Sequence, residues 1–520
     1  MSYYLIRLLP SISLFFTICL LVRLYYARSR DVILTLLELS GIFEAAIGLL
    51  QVSGLVNSRN AIFPLTGTFD NPGPYGGYVA MILAVSVVHV LQDRAFLSIN
   101  IRETLVNKDK PSTFKYVRLL IAICAAISCS LVLPATMSRT GWIAALVALA
   151  TYGIRQESVR RFIRNNRLIA LLTIALGLLM AVGAFALKKE SALGRLHIWH
   201  IDTLALLQKP LTGWGFGNEM GAYSVVQHDY FAVSSRNDWE IRVAGCPEYP
   251  FNDYLRIGMA GGLPLLLLAL AILLVALNRL NGEVLFYGFI ALAIFALGSY
   301  PLSLVQFRMA LALFLGMSFS SSKRSPPLTI WGLALITFLS ICLFIIHIPA
   351  IKERKDAVKA VKFLAFSRHG QHYDGLADSL AAYKDLLSDD YRYLYELGLA
   401  MSKEGRYAES NEILQSGAAL SSDPMFHSIM GRNLQGLGDY DSAIRKYEYA
   451  SNMVPSRIYP HLLLARLYVN LGKNASALAE TERAAIMAVN PRNRNMSALH
   501  EEILVLRDSL LAVNGTEHCE

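Results

Sequence analysis

Charged residues are scarce in this sequence. Asp, Glu, Lys and Arg make up 17% of the 520 residues, whereas soluble domains carry roughly 25%. Apolar side chains make up 54%, and the mean hydropathy is +0.42. This composition excludes an ordinary soluble protein and indicates an integral membrane protein, with enough residues left over for one soluble domain.

Cysteines and clustered basic side chains are scarce as well. Of the six cysteines, only Cys246 and Cys519 lie outside apolar runs; they could pair, but connectivity does not follow from sequence. The net charge of +9 comes from the loops of the apolar half, and no basic stripe carries interleaved aromatic residues. We therefore expect no nucleic-acid partner.

Long apolar runs fill the first 350 residues. A helix needs roughly 20 apolar residues to cross the hydrocarbon core, which predicts about ten spans near 3–22, 31–56, 75–91, 116–134, 139–154, 167–187, 251–277, 284–300, 302–319 and 328–348. Loops rich in Lys and Arg stay in the cytoplasm, and these are 23–30, 94–118 and 155–167. The opposite side then receives the loops 57–74 and 188–250 and everything after about Ile348.

Residues 391–490 repeat with a period of about 34, the length of a tetratricopeptide helix–turn–helix unit. The clearest copy runs from Pro424 to Pro455. We therefore predict an all-α fold, with a polytopic transmembrane bundle in 1–350 and an α-solenoid of tetratricopeptide-like repeats in 351–520. Such a solenoid binds an extended peptide or a partner protein, or serves as a structural platform.

Four polar segments interrupt the apolar half, and all fall on the side opposite the basic loops. They are PLTGTFDNPGPYGGY (64–78), MSRTGW (137–142), GRLHIWHIDTLALLQKPLTGWGFG (194–217) and CPEYPFNDYLRIGMAGGLP (246–264). Glycine and proline exclude regular helix in the first segment, so it lines a cavity or forms a surface turn. Their common side predicts one shared outward-facing site.

The charges in these segments allow two interpretations each. Arg139 runs against the charge bias of the membrane, so it holds an anion or merely reaches the headgroups. Arg195, Trp199 and Asp202 are spaced four and three apart, which places them on one face of a helix that would end at Pro210. An amphipathic helix lying in the interface is the alternative.

At the fourth segment, Asn252 and Asp253 open the next span. A carboxylate is favoured at the start of a helix by the helix dipole, so capping is the alternative to a chemical role.

In this order, the four segments resemble the O-antigen ligase and polymerase family, which also includes bacterial protein O-oligosaccharyltransferases. The matching pieces are GTFDNPGPYGGY, SRTGW, GRLHIW…PLTGWGFG and FNDYLRIGMAGGLP. The resemblance implies a multi-pass protein of the bacterial inner membrane with extracytoplasmic repeats. It would move a glycan from an undecaprenyl-pyrophosphate carrier to a hydroxyl of lipid A core, protein or surface glycan, with no metal and no cofactor.

For two arginines, Arg139 and Arg195, the resemblance implies binding of the pyrophosphate, since guanidinium groups bind phosphate bidentately. The residues that it implies at the substrate are Asn71, Trp199, Gly215, Asn252 and Asp253. Where the family often carries a histidine as general base, this sequence has Phe251. Glu248 or His228 could take the proton instead; we assign Glu248, which no resemblance supports.

Three other functions stay open. The protein could polymerise repeat units, with a lipid-linked glycan as acceptor. It could be a transporter, because Glu38, Glu44 and Gln51 lie within one predicted span and such residues often mark pathways, although no inverted repeat is visible. It could also be a non-catalytic scaffold that recruits glycan-assembly partners, a reading that Phe251 favours.

Overall fold

A computed structural model describes residues 6, 8–24, 26–104, 113–169, 171–172, 189–233, 236–320, 330–367, 373–487 and 494–517. Within these ranges all regular secondary structure is helical, which confirms the all-α prediction. The chain forms two compact units. The first contains Met1–Lys188, Phe251–Tyr254 and Leu265–His347, and the second contains Lys189–Pro250, Leu255–Pro264 and Ile348–Glu520. The loop that follows the sixth predicted span is thus grouped with the repeats.

The first unit is built on apolar helices and one short charged helix at 157–165. They are α1 (Leu9–Leu24), α2 (Tyr26–Val52), α3 (Pro72–Thr104), α4 (Thr113–Ala135), α5 (Arg139–Arg155), α6 (Glu157–Asn165), most of α10 (Asp253–Leu280), α11 (Val284–Ala296), α12 (Val305–Ser320) and the first half of α13 (Ile330–Ser367). Among the described residues five helices are long and apolar enough to span a membrane, in α2, α3, α4, α10 and α13. The predicted span 167–187 lies almost wholly outside the described residues.

Helix α3 lies at the centre of the first unit. Residues 79–85 of this helix are buried on every side, because this stretch is wholly apolar and α2, α4, α5 and α11 all pack against the helix. Aromatic rings fill the space between the later helices: Phe295 stacks on Phe307 with ring centroids 5.5 Å apart, and Phe289 stacks on Phe314 at 5.4 Å. This centre supports the loops at the ends of α2 and α3.

The second unit combines the loop helices with the repeats. The loop helices are α7 (Lys189–Gln208), α8 (Glu219–Ala232) and α9 (Asp238–Val243). The remaining helices are α14 (Leu376–Ala381), α15 (Lys384–Leu387), α16 (Tyr391–Lys403), α17 (Tyr407–Ala418), α18 (Met425–Gly436), α19 (Tyr440–Met453), α20 (Ile458–Asn470), α21 (Asn474–Ala485) and α22 (Arg494–Glu517).

The repeats form three helix pairs, α16–α17, α18–α19 and α20–α21, whose first helices begin at intervals close to the predicted period. Small residues let the paired helices pack closely: a methyl group on Gly431 would meet the ring of Tyr447, and one on Gly398 would meet Leu414. Aspartates cap two of these helices, since the Asp390 carboxylate accepts from the Arg392 backbone N–H and Asp439 from that of Ser442. Assignment to the tetratricopeptide class stays a prediction.

Candidate functional site

The first polar segment is held in place by two side chains of α2. The amide oxygen of Gln51 accepts the backbone N–H groups of Thr66 and Gly67 at 2.9 and 2.8 Å, and its nitrogen donates to the Gly67 carbonyl at 3.0 Å. Two turns further back, Glu44 accepts the backbone N–H of Thr68 at 3.0 Å as well as its hydroxyl. The irregular backbone that glycine and proline impose is therefore satisfied inside the protein.

These contacts bear on the transporter interpretation. Of its three residues, Glu44 and Gln51 bind the loop, and Glu38 contacts Nδ1 of the buried His89 at 2.7 Å. Each has a structural partner of its own. Glu44 and Gln51 thus have a structural explanation that requires no transported ion or substrate.

The second polar segment packs directly on the end of the first. Ser138 is the N-cap of α5, and its hydroxyl donates to the Gly73 carbonyl at 2.9 Å. Backbones approach so closely here that a methyl group on Gly141 would lie 2.8 Å from the Gly76 carbonyl oxygen. Arg139, half-buried, is the first residue of α5. The crossing of α3 and α5 therefore fixes the backbone that carries Arg139.

A fifth segment, GSYPL at 298–302, contacts both the second polar segment and the fourth. Thr140 contacts Gly298, because a methyl group on that glycine would lie 3.0 Å from the threonine side chain. At the other end of GSYPL, the buried Asp253 carboxylate accepts the Leu302 backbone N–H at 2.7 Å. Sequence analysis missed this segment, although a Gly and a Pro between two apolar runs were a visible sign.

Phe251 lies at this junction in a conformation unusual for its type. Its φ of +51° is in the left-handed region, which costs a non-glycine residue of order 1–3 kcal/mol. Its ring packs edge-on against Tyr300 with centroids 5.5 Å apart. Next to it, the Asn252 side chain accepts the Tyr254 N–H at 3.0 Å, as expected of a helix cap. Asn71 does the same for α3 by accepting the Gly73 N–H at 2.8 Å.

In the second unit, Arg195 and Trp199 lie half-buried on α7, with Asp202 one turn further along. The helix ends at Gln208, just before Pro210, as predicted. Asp202 is fully buried, and among the described residues neither of its carboxylate oxygens has a hydrogen-bond partner. Burial raises the pKa of Asp202 well above its usual range, because a low-dielectric surrounding disfavours the charged carboxylate.

The GWGFG turn crosses the backbone of α10. The Trp214 and Gly215 N–H groups donate to the carbonyls of Met259 and Ala260 at 2.7 and 3.0 Å, and α10 is kinked just beyond, at Gly261 and Gly262. A methyl group on Gly213 would lie 2.6 Å from the backbone of Ala260. Close backbone approach at this turn was predicted and is confirmed.

Glu248 is also in the second unit, on its surface. Its carboxylate forms a 2.8 Å ion pair with Arg392 at the start of α16, and both side chains are more than half exposed. The predicted site residues thus divide between the units: Asn71, Arg139, Asn252 and Asp253 in the first, and Arg195, Trp199, Gly215 and Glu248 in the second. Within the described residues no three His, Cys, Asp or Glu side chains form a group that could hold a metal ion.

The long apolar helices of the first unit are those of a helical, multi-pass membrane protein. Residues 124–270 match the model of the O-antigen ligase family, a stretch that includes the second, third and fourth polar segments. This match confirms the family resemblance over that stretch, and the part of the resemblance that concerns the repeats stays a prediction. A search of curated proteins gives no match. Among solved structures, a chain of a T3SS complex from Aeromonas hydrophila is similar, with 22% identity over 26% of this chain and 90% of that chain and a TM-score of 0.23; at this TM-score the likeness supports no argument.

Proposed function

We propose that the protein is a membrane glycosyltransferase that moves a glycan from an undecaprenyl-pyrophosphate carrier to an acceptor hydroxyl on the outer side of the bacterial inner membrane. The observation that carries the proposal is the O-antigen ligase match over 124–270. That stretch holds Arg139 and Arg195 on two well-defined helices, α5 and α7. The donor, the acceptor and the periplasmic position of the repeats are part of the proposal.

In the proposed reaction, the acceptor oxygen attacks the anomeric carbon of the glycan. The bond between that carbon and the pyrophosphate oxygen breaks, and the lipid pyrophosphate leaves with the electron pair. Arg139 and Arg195 stabilise the charge that develops on the leaving group, where a fixed cation contributes most. The proposal requires no metal and no cofactor, and it places Asn71, Trp199, Gly215, Asn252 and Asp253 around the substrate.

The acceptor proton needs a base, and Phe251 cannot take it. Glu248 stays our prediction for this role. Its carboxylate pairs with Arg392 at 2.8 Å, so the acceptor hydroxyl must come within hydrogen-bond distance of a carboxylate that already has this partner. Glu248→Gln, which keeps the shape and removes the basicity, is expected to lower kcat with little change in donor KM.

The test uses full-length protein in lipid nanodiscs with a synthetic lipid-pyrophosphate glycan donor. Arg139→Ala and Arg195→Ala are each expected to lower kcat/KM by about 10²–10³, the usual effect of losing one charge-stabilising donor. Arg164→Ala, which removes an exposed arginine of α6, is the matched control. Full activity in both arginine variants contradicts the catalytic proposal.

The acceptor is identified in cells. A deletion strain is complemented with the wild type, with Arg195→Ala and with a truncation after Ile351. Loss of glycoproteins alone points to a protein acceptor, loss of chain length points to a polymerase, and loss of lipid-linked surface glycan points to a ligase. If Arg195→Ala complements fully and the truncation does not, the repeats carry the function as a scaffold or as the site of a protein partner.

A further inference from the structure

The loop helices and the repeats meet along one side of α8. Helix α8 packs on α19, and Gly221 lies so close to the end of α17 that a methyl group on it would overlap the Ala419 carbonyl. Further along, His228 stacks on Tyr449 with ring centroids 3.8 Å apart. The contact is therefore built from backbone proximity and ring stacking within a single compact unit.

Gln227 is the polar centre of this contact. It is 1% exposed, and its amide nitrogen donates to two carbonyls, that of Gly245 at 3.0 Å and that of Met453 at the end of α19. Its amide oxygen contacts the Tyr223 hydroxyl and, at 3.1 Å, His197 Nε2 on α7. All of the donor and acceptor capacity of one amide is used inside the protein.

The hydrogen bonds fix the orientation of this amide. Carbonyl oxygens only accept, so the nitrogen must face Gly245 and Met453, and the oxygen must face His197 and Tyr223. His197 must then donate from Nε2, so that atom carries a proton. Burial lowers the pKa of His197, which favours the neutral imidazole with its proton on Nε2.

From these contacts we infer that Gln227 is a positioning residue, through which the repeats hold α7, and with it Arg195, in the geometry that the transfer reaction needs. The inference rests on the proposed function. Arg195 and His197 are two positions apart on α7, whereas Met453 ends α19 in the second repeat pair. Part of the repeat surface thus binds the chain's own loop.

Two further contacts tie the other end of the loop to the repeats. The Ser422 hydroxyl donates to the Pro247 carbonyl at 2.7 Å, and Arg392 pairs with Glu248. The chain near Pro247 is therefore tied to the repeats. Gln227 links this part of the loop to α7 through its contacts with Gly245 and His197.

Gln227→Leu tests the inference because it keeps the volume and leaves four buried polar groups unpaired. We expect kcat to fall by about 10–100-fold, the effect of a displacement of about 1 Å in a charge-stabilising group, while donor KM changes less than about threefold. Backbone hydrogen exchange in Lys189–Gln208 should become about tenfold faster. Gln208→Leu, at an exposed position at the end of the same helix, is the control and should match the wild type in both measurements.

A steric variant covers the case in which Gln227→Leu does not fold. Gly221→Ala forces α8 away from Ala419, whereas Gly153→Ala adds a methyl group where nothing lies within 4 Å. Gly221→Ala should reproduce the loss in kcat and the faster exchange, and Gly153→Ala should not.

The inference is overturned if exchange in α7 accelerates while kcat stays within twofold of the wild type. It is also overturned if Gly221→Ala changes neither quantity. Arg195→Ala, measured in parallel, separates the two claims: an active Arg195→Ala refutes the proposed function, whereas an inactive one beside a fully active Gln227→Leu refutes only the positioning role.

Discussion

Replacing Gln51 with leucine should destabilise the first unit severely. The change leaves the N–H groups of Thr66 and Gly67 and the Gly67 carbonyl without their partner, in a place where Thr66 is fully buried and Gln51 is 5% exposed. A buried polar group that loses its partner costs about 1–3 kcal/mol. The three groups together give about 3–9 kcal/mol; because the loop can relax towards solvent, we expect a loss near the lower end, about 3–5 kcal/mol.

The assay is thermal unfolding of purified protein in nanodiscs. For a unit of this size, 1 kcal/mol corresponds to roughly 2–4 °C in Tm, so Gln51→Leu should lower the Tm by about 6–20 °C. At a pH that keeps its carboxyl neutral, Gln51→Glu retains the acceptor oxygen and an O–H donor for the Gly67 carbonyl, so its loss should be smaller. Ser53→Ala, at an exposed position two residues away, should have almost no effect.

Two results would refute this reasoning. The first is a Gln51→Leu protein within about 1 kcal/mol of the wild type, and the second is a Gln51→Glu protein less stable than the leucine variant. Either result would mean that Gln51 has another role than holding the loop, and it would reopen the transport interpretation of α2.

Three other predictions concern the crossing, a buried histidine and Phe251. Gly213→Ala should lower the free energy of unfolding by about 2–4 kcal/mol, because a φ of +66° is combined with steric overlap on Ala260. Gly472→Ala has a similar φ of +69° but open space around it, so it should lose only about 1–2 kcal/mol in the same assay. Burial lowers the pKa of His427 to about 3; the unfolded chain, with a pKa near 6.5, binds the proton first as the pH falls. Lowering the pH from 7 to 5 should therefore reduce the free energy of unfolding by about 2 kcal/mol through His427. In chemical denaturation measured at both pH values, His427→Gln should not show this loss. Phe251→His should keep the fold, since histidine tolerates positive φ better than phenylalanine. It should raise kcat, and the pH profile of kcat should gain a new transition near pH 6.5 from the imidazole. An unchanged rate and pH profile would show that position 251 is out of reach of the acceptor proton.

Much of the fold follows from local pattern. Apolar length predicts the helices, and Pro210 predicts the end of α7, since proline cannot continue a helix. The period of the repeats predicts where α16, α18 and α20 begin. The glycines of GWGFG predict a turn with close backbone approach, because no side chain then keeps the chains apart.

Local patterns do not predict which residues these elements contact. Glu44 and Gln51 suggest an intramembrane pathway from sequence alone, but they bind a loop 15 or more residues away, a pairing that only the fold creates. GSYPL was missed because its role depends on contacts with Thr140 and Asp253. The link from Gln227 to Met453 joins residues 226 positions apart, a separation at which no local rule operates.

The crossing of the GWGFG turn over the kink in α10 decides which pieces of this protein can be exchanged. Its main-chain hydrogen bonds and the facing glycines at 213 and 262 allow no independent change on either side. A chimera that takes only 189–217 from a relative would bring a turn shaped for a different partner. The two sides of the crossing, 210–217 and 259–263, must therefore be exchanged together.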